Sequence, residues 1–206
     1  MKVSFAISLL FHYWYYFRLR VISDLSTFYC RLFFSIRGID IDEKSTFIGI
    51  PFIYKFPGSK IKIGSRVKIN TTRISNLIGI NRRTFLSTHS KTAELIVGDY
   101  CGLSGVVIGA KQSIIIGDHV MIGANVLITD FDWHSINALE RNQGASSLSK
   151  PIVIADNVFI GYSTTVLKGV IIGKNSVIGA NSVVTSNIPA NVIAAGNPCK
   201  VITQLK

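Results

Sequence analysis

Few side chains in this chain can move a proton near neutral pH, and the best placed of them is His134. It stands in the run DFDWHSINALERNQG at 130–144, two residues after Asp132 and four after Asp130. Imidazole changes charge near neutrality, so it can take a proton from a hydroxyl, and a nearby carboxylate can orient the ring. The other histidines have weaker claims. His119 lies in the turn GDHV and is expected to face solvent; His12 falls within an apolar N-terminal stretch; His89, in FLSTHS, is read as structural or as one wall of a ligand site. No His or Cys spacing fits a metal centre, and His134 alone cannot hold one, so no metal is expected. Cys30, Cys101 and Cys199 are odd in number and widely scattered, which reads as reduced thiols in the cytoplasm rather than a disulfide framework.

The segment that carries His134 is an interruption. On its C-terminal side an aliphatic or small residue recurs every six positions, at Ile154, Ile160, Val166, Ile172, Ile178, Val184 and Ala190. Four residues into each hexad sits a small or β-branched residue, Val158, Thr164, Val170, Ser176, Ser182, Ile188 or Ala194. A helix would need apolar spacings of three and four, and a half-buried strand would need strict alternation. A period of six instead marks a β-helix, whose turns bury one aliphatic stack on the next. The beat also holds at Ile116, Ile122 and Ile128, and earlier, with interruptions, at Ile48-Gly49, Ile63-Gly64 and Val97-Gly98. Ile128 and Ile154 are 26 residues apart, four hexads plus two. Residues 130–150 must therefore leave the coil and return in register, and a long excursion from a regular scaffold usually serves function.

Before the coils, residues 3–17 are almost wholly apolar or aromatic, with Ser4, Ser8 and His12 on one helical seam. Residues 18–36 place Arg20, Asp24, Thr27, Arg31 and Ser35 opposite Leu19, Ile22, Leu25, Phe28, Leu32 and Phe33, which predicts an amphipathic helical hairpin or one bent helix. The apolar part is shorter than the ~20 residues of a membrane span, and no small-residue cleavage site follows it. Two readings are open: the helices lie in a membrane interface with Tyr13, Trp14, Tyr15 and Tyr16 at headgroup level beside Arg18 and Arg20, or they pack on protein. Mean hydropathy is positive. The net charge of +11 falls mostly in the first half: residues 1–60 hold eight Lys/Arg against four Asp/Glu, residues 61–100 seven against two, and residues 101–206 seven against five. No nucleic-acid motif accompanies this charge, so an anionic membrane surface or a lipid-diphosphate substrate suits it better than nucleic acid. Residues 1–37 are thus expected to form a helical extension and 38–206 the coiled domain.

With these features together, the chain resembles the hexapeptide-repeat acyltransferases. The hexads, HSINALERNQG, KPIVIADNVFIG and GNPCK carry the resemblance, most closely to the maltose and galactoside O-acetyltransferase branch, over roughly residues 90–206. It implies an all-β fold, a left-handed parallel β-helix with three hexads per coil, although right-handed crossovers are the general rule. It also implies a homotrimer with acetyl-CoA as co-substrate. By the same resemblance His134 is the general base, because an alcohol is a poor nucleophile at pH 7 and needs its proton removed as it attacks a thioester. Asp132 or Asp130 would hold the ring or the acceptor, with Trp133, Asn137, Arg141 and His89 on the acceptor side.

Ser104 stands where the family has an asparagine near the reacting centre, leaving oxyanion stabilisation to a hydroxyl or backbone N–H. Asn137 replaces an acidic residue, so acceptor preference is expected to differ. The donor would run past Gly161, Tyr162 and Ala180, with Thr185 and Lys200 toward its phosphates. The expected reaction is O-acetylation of a sugar, in particular a soluble or lipid-linked surface-polysaccharide precursor at the inner face of the cytoplasmic membrane. N-acetylation of an amino sugar, acetylation of serine, and a non-enzymatic β-helical binding protein are the alternatives.

Overall fold

The computed structural model describes residues 2–144 and 148–205, so part of the predicted excursion, 145–147, lies outside the described residues. The six-residue beat translates into strands of two to four residues separated by tight bends. Each strand pairs with the one a coil later: Ile154 faces Ile172 and Ile160 faces Ile178, three hexads on. The result is a left-handed parallel β-helix with three faces of six, eight and six strands. Its interior is built from columns such as Ile69, Leu103, Ile122, Ile160, Ile178 and Ala194 on the second face. The small inward positions Thr164, Ser176 and Ser182 are fully buried and bond to carbonyls at the bends, satisfying polar atoms that would otherwise lose water.

The bends explain the non-aliphatic part of the pattern. Asn157, Asn175 and Asn191 adopt positive φ, which Asn tolerates better than most residues, and their amides bond to one another in a ladder of 3.2 and 2.8 Å. The glycines after the aliphatic positions leave no room for a side chain. A Cβ on Gly161 would stand 2.6 Å from the Ala180 nitrogen and 2.8 Å from the Ile178 oxygen.

Two expectations need correction. The beat ends one hexad early: Ile172 pairs with Ile188 and Ile178 with Ala194, sixteen residues on rather than eighteen, so Ala190 is not an inward position. The N-terminus is one helix, α1 (Lys2–Ile36), and it does not divide cleanly into the two expected sides: Arg20, Asp24, Arg31 and Ser35 are exposed, but Thr27 of the same stripe is buried and most of the apolar stripe is exposed as well. Ser26, Thr27, Cys30 and Phe34 face the coils, whereas Leu25 and Phe28 are 67% and 71% exposed. The reason is hydrogen bonding. Thr27 and Ser26 take the amide protons of Phe47 and Gly49 on the first strand of the second face, at 2.9 and 3.1 Å, and so cap an edge that would otherwise be unpaired. At the other end the antiparallel strand Lys200–Gln204 closes the same face against Val192–Ala195. The three cysteines are free and buried, and burial pushes the Cys30 thiol up to about 12 and that of Cys101 up to about 11.

Candidate active site

The excursion leaves the third face after Leu127–Thr129 and returns at Ile152–Ile154 on the first. Its base is clasped. Phe131 bridges Ser149, the Asp132 amide donates to Leu148 at 3.1 Å, and the Lys150 amide donates to Asp130 at 2.8 Å. Asp130 is fully buried, and its carboxylate accepts the backbone N–H groups of Lys111, Gln112 and Ser113 at 2.6–2.8 Å. It therefore ties the excursion to the preceding coil and is closed to a substrate, contrary to the acceptor-binding expectation.

Beyond the clasp, the loop braces itself around His134. Asn137 caps the short helix α2 (Ala138–Asn142) by accepting from Leu139 and Glu140. Ser135 is buried and donates to Glu140 at 2.7 Å, and Arg141 donates to the Ser135 and Ile136 carbonyls at 3.0 and 3.4 Å. Asn137 and Arg141, expected on the acceptor side, are thus employed in shaping the turn. The His134 side chain is exposed and has no hydrogen-bond partner among the described residues. Asp132 does not orient it: its carboxylate pairs with Lys168 Nζ at 2.5 Å, both side chains about one-quarter exposed.

Trp133, 51% exposed, turns back against the coil. Its ring, Phe131 and His89 pack together at centroid distances of 4.7–5.1 Å. Gly109 makes this approach possible, since a Cβ there would lie 3.1 Å from the indole. His89 shares a hydrogen bond of 2.9 Å with Ser87, and desolvation lowers its pKa, with Lys111 adding to the effect and Asp130 opposing it. It is a neutral ring in an aromatic wall.

Ser104 belongs to a different place. It ends a strand of the second face and lines a pocket of about 390 Å³ with Lys68, Asn70, Asn76, Met121, Phe159 and Tyr162; His134 is not among the lining residues. Sequence reading paired Ser104 with His134. The structure instead places Ser104 with Tyr162, an expected donor-binding residue. Gly161 and Ala180 continue the same corner. Thr185 follows the last strand of the third face, and Lys200, exposed, begins the closing strand.

Sequence reasoning missed Asn70, Asn76, Lys168 and the Ser135–Glu140 brace. Asn76 lies in an irregular insertion, 71–84, where the interrupted beat is the one available signal. No group of three His, Cys, Asp or Glu residues that could hold a metal occurs among the described residues.

Comparison with known proteins adds the following. A family described as bacterial transferase hexapeptide (six repeats) matches residues 151–186, and one described as hexapeptide repeat of succinyl-transferase matches 113–129. A galactoside O-acetyltransferase of Lactococcus lactis is 50% identical over 88 residues, 43% of this chain and 42% of its own length. A galactoside O-acetyltransferase of Escherichia coli is 45% identical over 93 residues, 45% of each chain. The chain spans about half the length of the curated relatives it matches. Among solved structures, AntD, an N-acyltransferase from Bacillus cereus in complex with dTDP and 3-hydroxybutyryl-CoA, aligns with a TM-score of 0.65 at 18% identity over 84% of this chain and 87% of that one, a likeness of fold.

Proposed function

We propose that the chain, which resembles the hexapeptide-repeat acetyltransferases over its coils, moves acetyl from acetyl-CoA to a sugar hydroxyl, the acceptor being a bacterial surface-polysaccharide precursor, soluble or lipid-linked. One observation carries the reading: His134 is held exposed on a braced excursion, next to an aromatic wall suited to the apolar face of a sugar ring. In this reading His134 takes the proton as the hydroxyl oxygen attacks the thioester carbon, and the thiolate leaves with that proton. No acyl-enzyme intermediate is required.

The donor lies along the corner formed by Gly161, Tyr162 and Ala180, with Thr185 and Lys200 at its phosphate end. His134 and the Ser104 pocket sit at different corners, so a site using both is shared between neighbouring copies of a homotrimer. Replacing His134 with Ala should reduce acetyl transfer at least ~100-fold, the usual contribution of a general base, while CoA binding and thermal unfolding stay unchanged. Near-normal turnover would remove the assignment.

The helix α1 is proposed to rest in the interface of an anionic membrane at the cytoplasmic face. No described helix is long and apolar enough to cross a membrane. What supports an interfacial position is the outward stripe of Leu10, Phe11, Trp14 and Phe17, all more than half exposed, flanked by exposed Arg18 and Arg20. Co-sedimentation with anionic vesicles is the check: the full chain should pellet with them, and a variant with Leu10, Phe11 and Trp14 changed to Ser should stay in solution.

A further inference from the structure

The insertion at 71–84 is a closed loop with an outward apex. Its ends meet where the Thr84 amide donates to Thr71 Oγ1 at 2.7 Å. The buried Asn125 side chain donates to the Gly79 carbonyl at 2.8 Å and accepts the Asn81 N–H at 3.1 Å, and Arg83 donates twice to the Ile50 carbonyl. Ile80 is turned inward and buried, whereas Leu77 and Ile78 at the apex are 82% and 62% exposed. The loop is pinned at its base and already keeps one isoleucine inside, so two adjacent aliphatic side chains held in water mark a contact surface. Charge indicates what meets it. The insertion holds three arginines, Arg73, Arg82 and Arg83, all exposed, and no Asp or Glu. An apolar tip accompanied by cations and free of acids suits an anionic lipid interface.

Position agrees with charge. Tyr15 of α1 donates its hydroxyl to the Ile74 carbonyl at 2.7 Å, and Phe11, Trp14 and Arg18, its neighbours on the helix surface, are exposed. The outward stripe of α1 therefore continues onto the insertion. On its other flank the insertion supplies walls of the Ser104 pocket: Asn76 donates to Ser104 Oγ at 3.1 Å, and Ile78 lines the cavity. Resting on the acetyl-transfer reading and on the interfacial position of α1, we propose that the insertion is a second membrane-contacting element. Leu77 and Ile78 enter the headgroup boundary of an anionic bilayer, and Arg73 lies against its phosphates. The mouth of the Ser104 pocket then stands at the lipid surface, and of the two acceptor forms left open above the enzyme takes the lipid-linked one.

The test uses the full chain and phosphatidylcholine vesicles made with or without phosphatidylglycerol. The variants are Leu77→Ser and Arg73→Gln, neither of which alters a residue lining the pocket. Leu77→Ser should lower partitioning onto the anionic vesicles about tenfold, the value of one leucine withdrawn from water. Arg73→Gln should lower it about fivefold, and only where phosphatidylglycerol is present. With galactose carried on a polyprenyl diphosphate in those vesicles as acceptor, turnover should fall by the same factors, while turnover of free galactose stays unchanged. Partitioning of both variants equal to wild type overturns the inference, and release of the Leu10, Phe11 and Trp14 variant in the same assay would show that the reading of α1 survives it. Equal turnover of the two acceptor forms by vesicle-bound wild type overturns it as well. So does a change in the size of Leu77→Ser in sedimentation velocity, which would make the apex a contact between subunits. Failure to bind acetyl-CoA in calorimetry would overturn the acetyl-transfer reading separately, because the vesicle measurements need no turnover.

Discussion

His89 shows how a single side chain reports on its surroundings. Packed against Phe131 and Trp133, it is held neutral by desolvation, so its proton affinity is lower in the folded chain than in the unfolded one. The sign follows. As pH falls below the ordinary histidine value of about 6.5, the unfolded chain takes up a proton that the folded chain resists, so stability drops on the acid side. His89→Gln should therefore show a smaller fall in Tm between pH 7.5 and pH 5 than the wild type; an equal fall would mean that His89 titrates freely. Asp130 illustrates the limit of reading residues by type. Its place two residues before another acid and four before a histidine resembles a catalytic arrangement, yet three backbone amides of the preceding coil claim its oxygens. Nothing in sequence order shows a contact made across coils, and Asn70 and Asn76 escaped notice for the same reason.

Among the elements, the hexad strands were the most legible, because the chain itself repeats the rule that each inward side chain must obey. The helix was legible in extent but not in orientation. Apolar content is greatest on the side that faces away from the coils, while the docking side is chosen by two hydroxyls able to satisfy the amides of Phe47 and Gly49. That choice governs how membrane attachment should be tested. Deleting the helix would strip Phe34 and Cys30 from the core and uncover Phe47, confounding binding with unfolding. Changing Leu10, Phe11 and Trp14 touches only the outward stripe. At ~1.5 kcal/mol for each apolar side chain withdrawn, the loss should exceed about 100-fold in partitioning. Unchanged co-sedimentation would leave the stripe free for a protein partner instead.

At the scale of the whole molecule, the stack of coils is a rod with two ends, and the ends are sealed by different means, α1 at one and the antiparallel strand Lys200–Gln204 at the other. Parallel coils have no intrinsic stopping point, since every strand presents to the next the same edge it received, and an open edge pairs with whatever strand it meets. The final strand runs against the grain, so it can pair with Val192–Ala195 but offers no continuation of the parallel register. Removing residues 200–206 should leave a folded chain whose one open edge pairs with that of a second copy while α1 still covers the other end, seen in sedimentation velocity as a doubling of size; an unchanged size would show that the seal lies elsewhere. The reversal of one five-residue strand thus halts the parallel stack on this face, as a terminator does for a polymer.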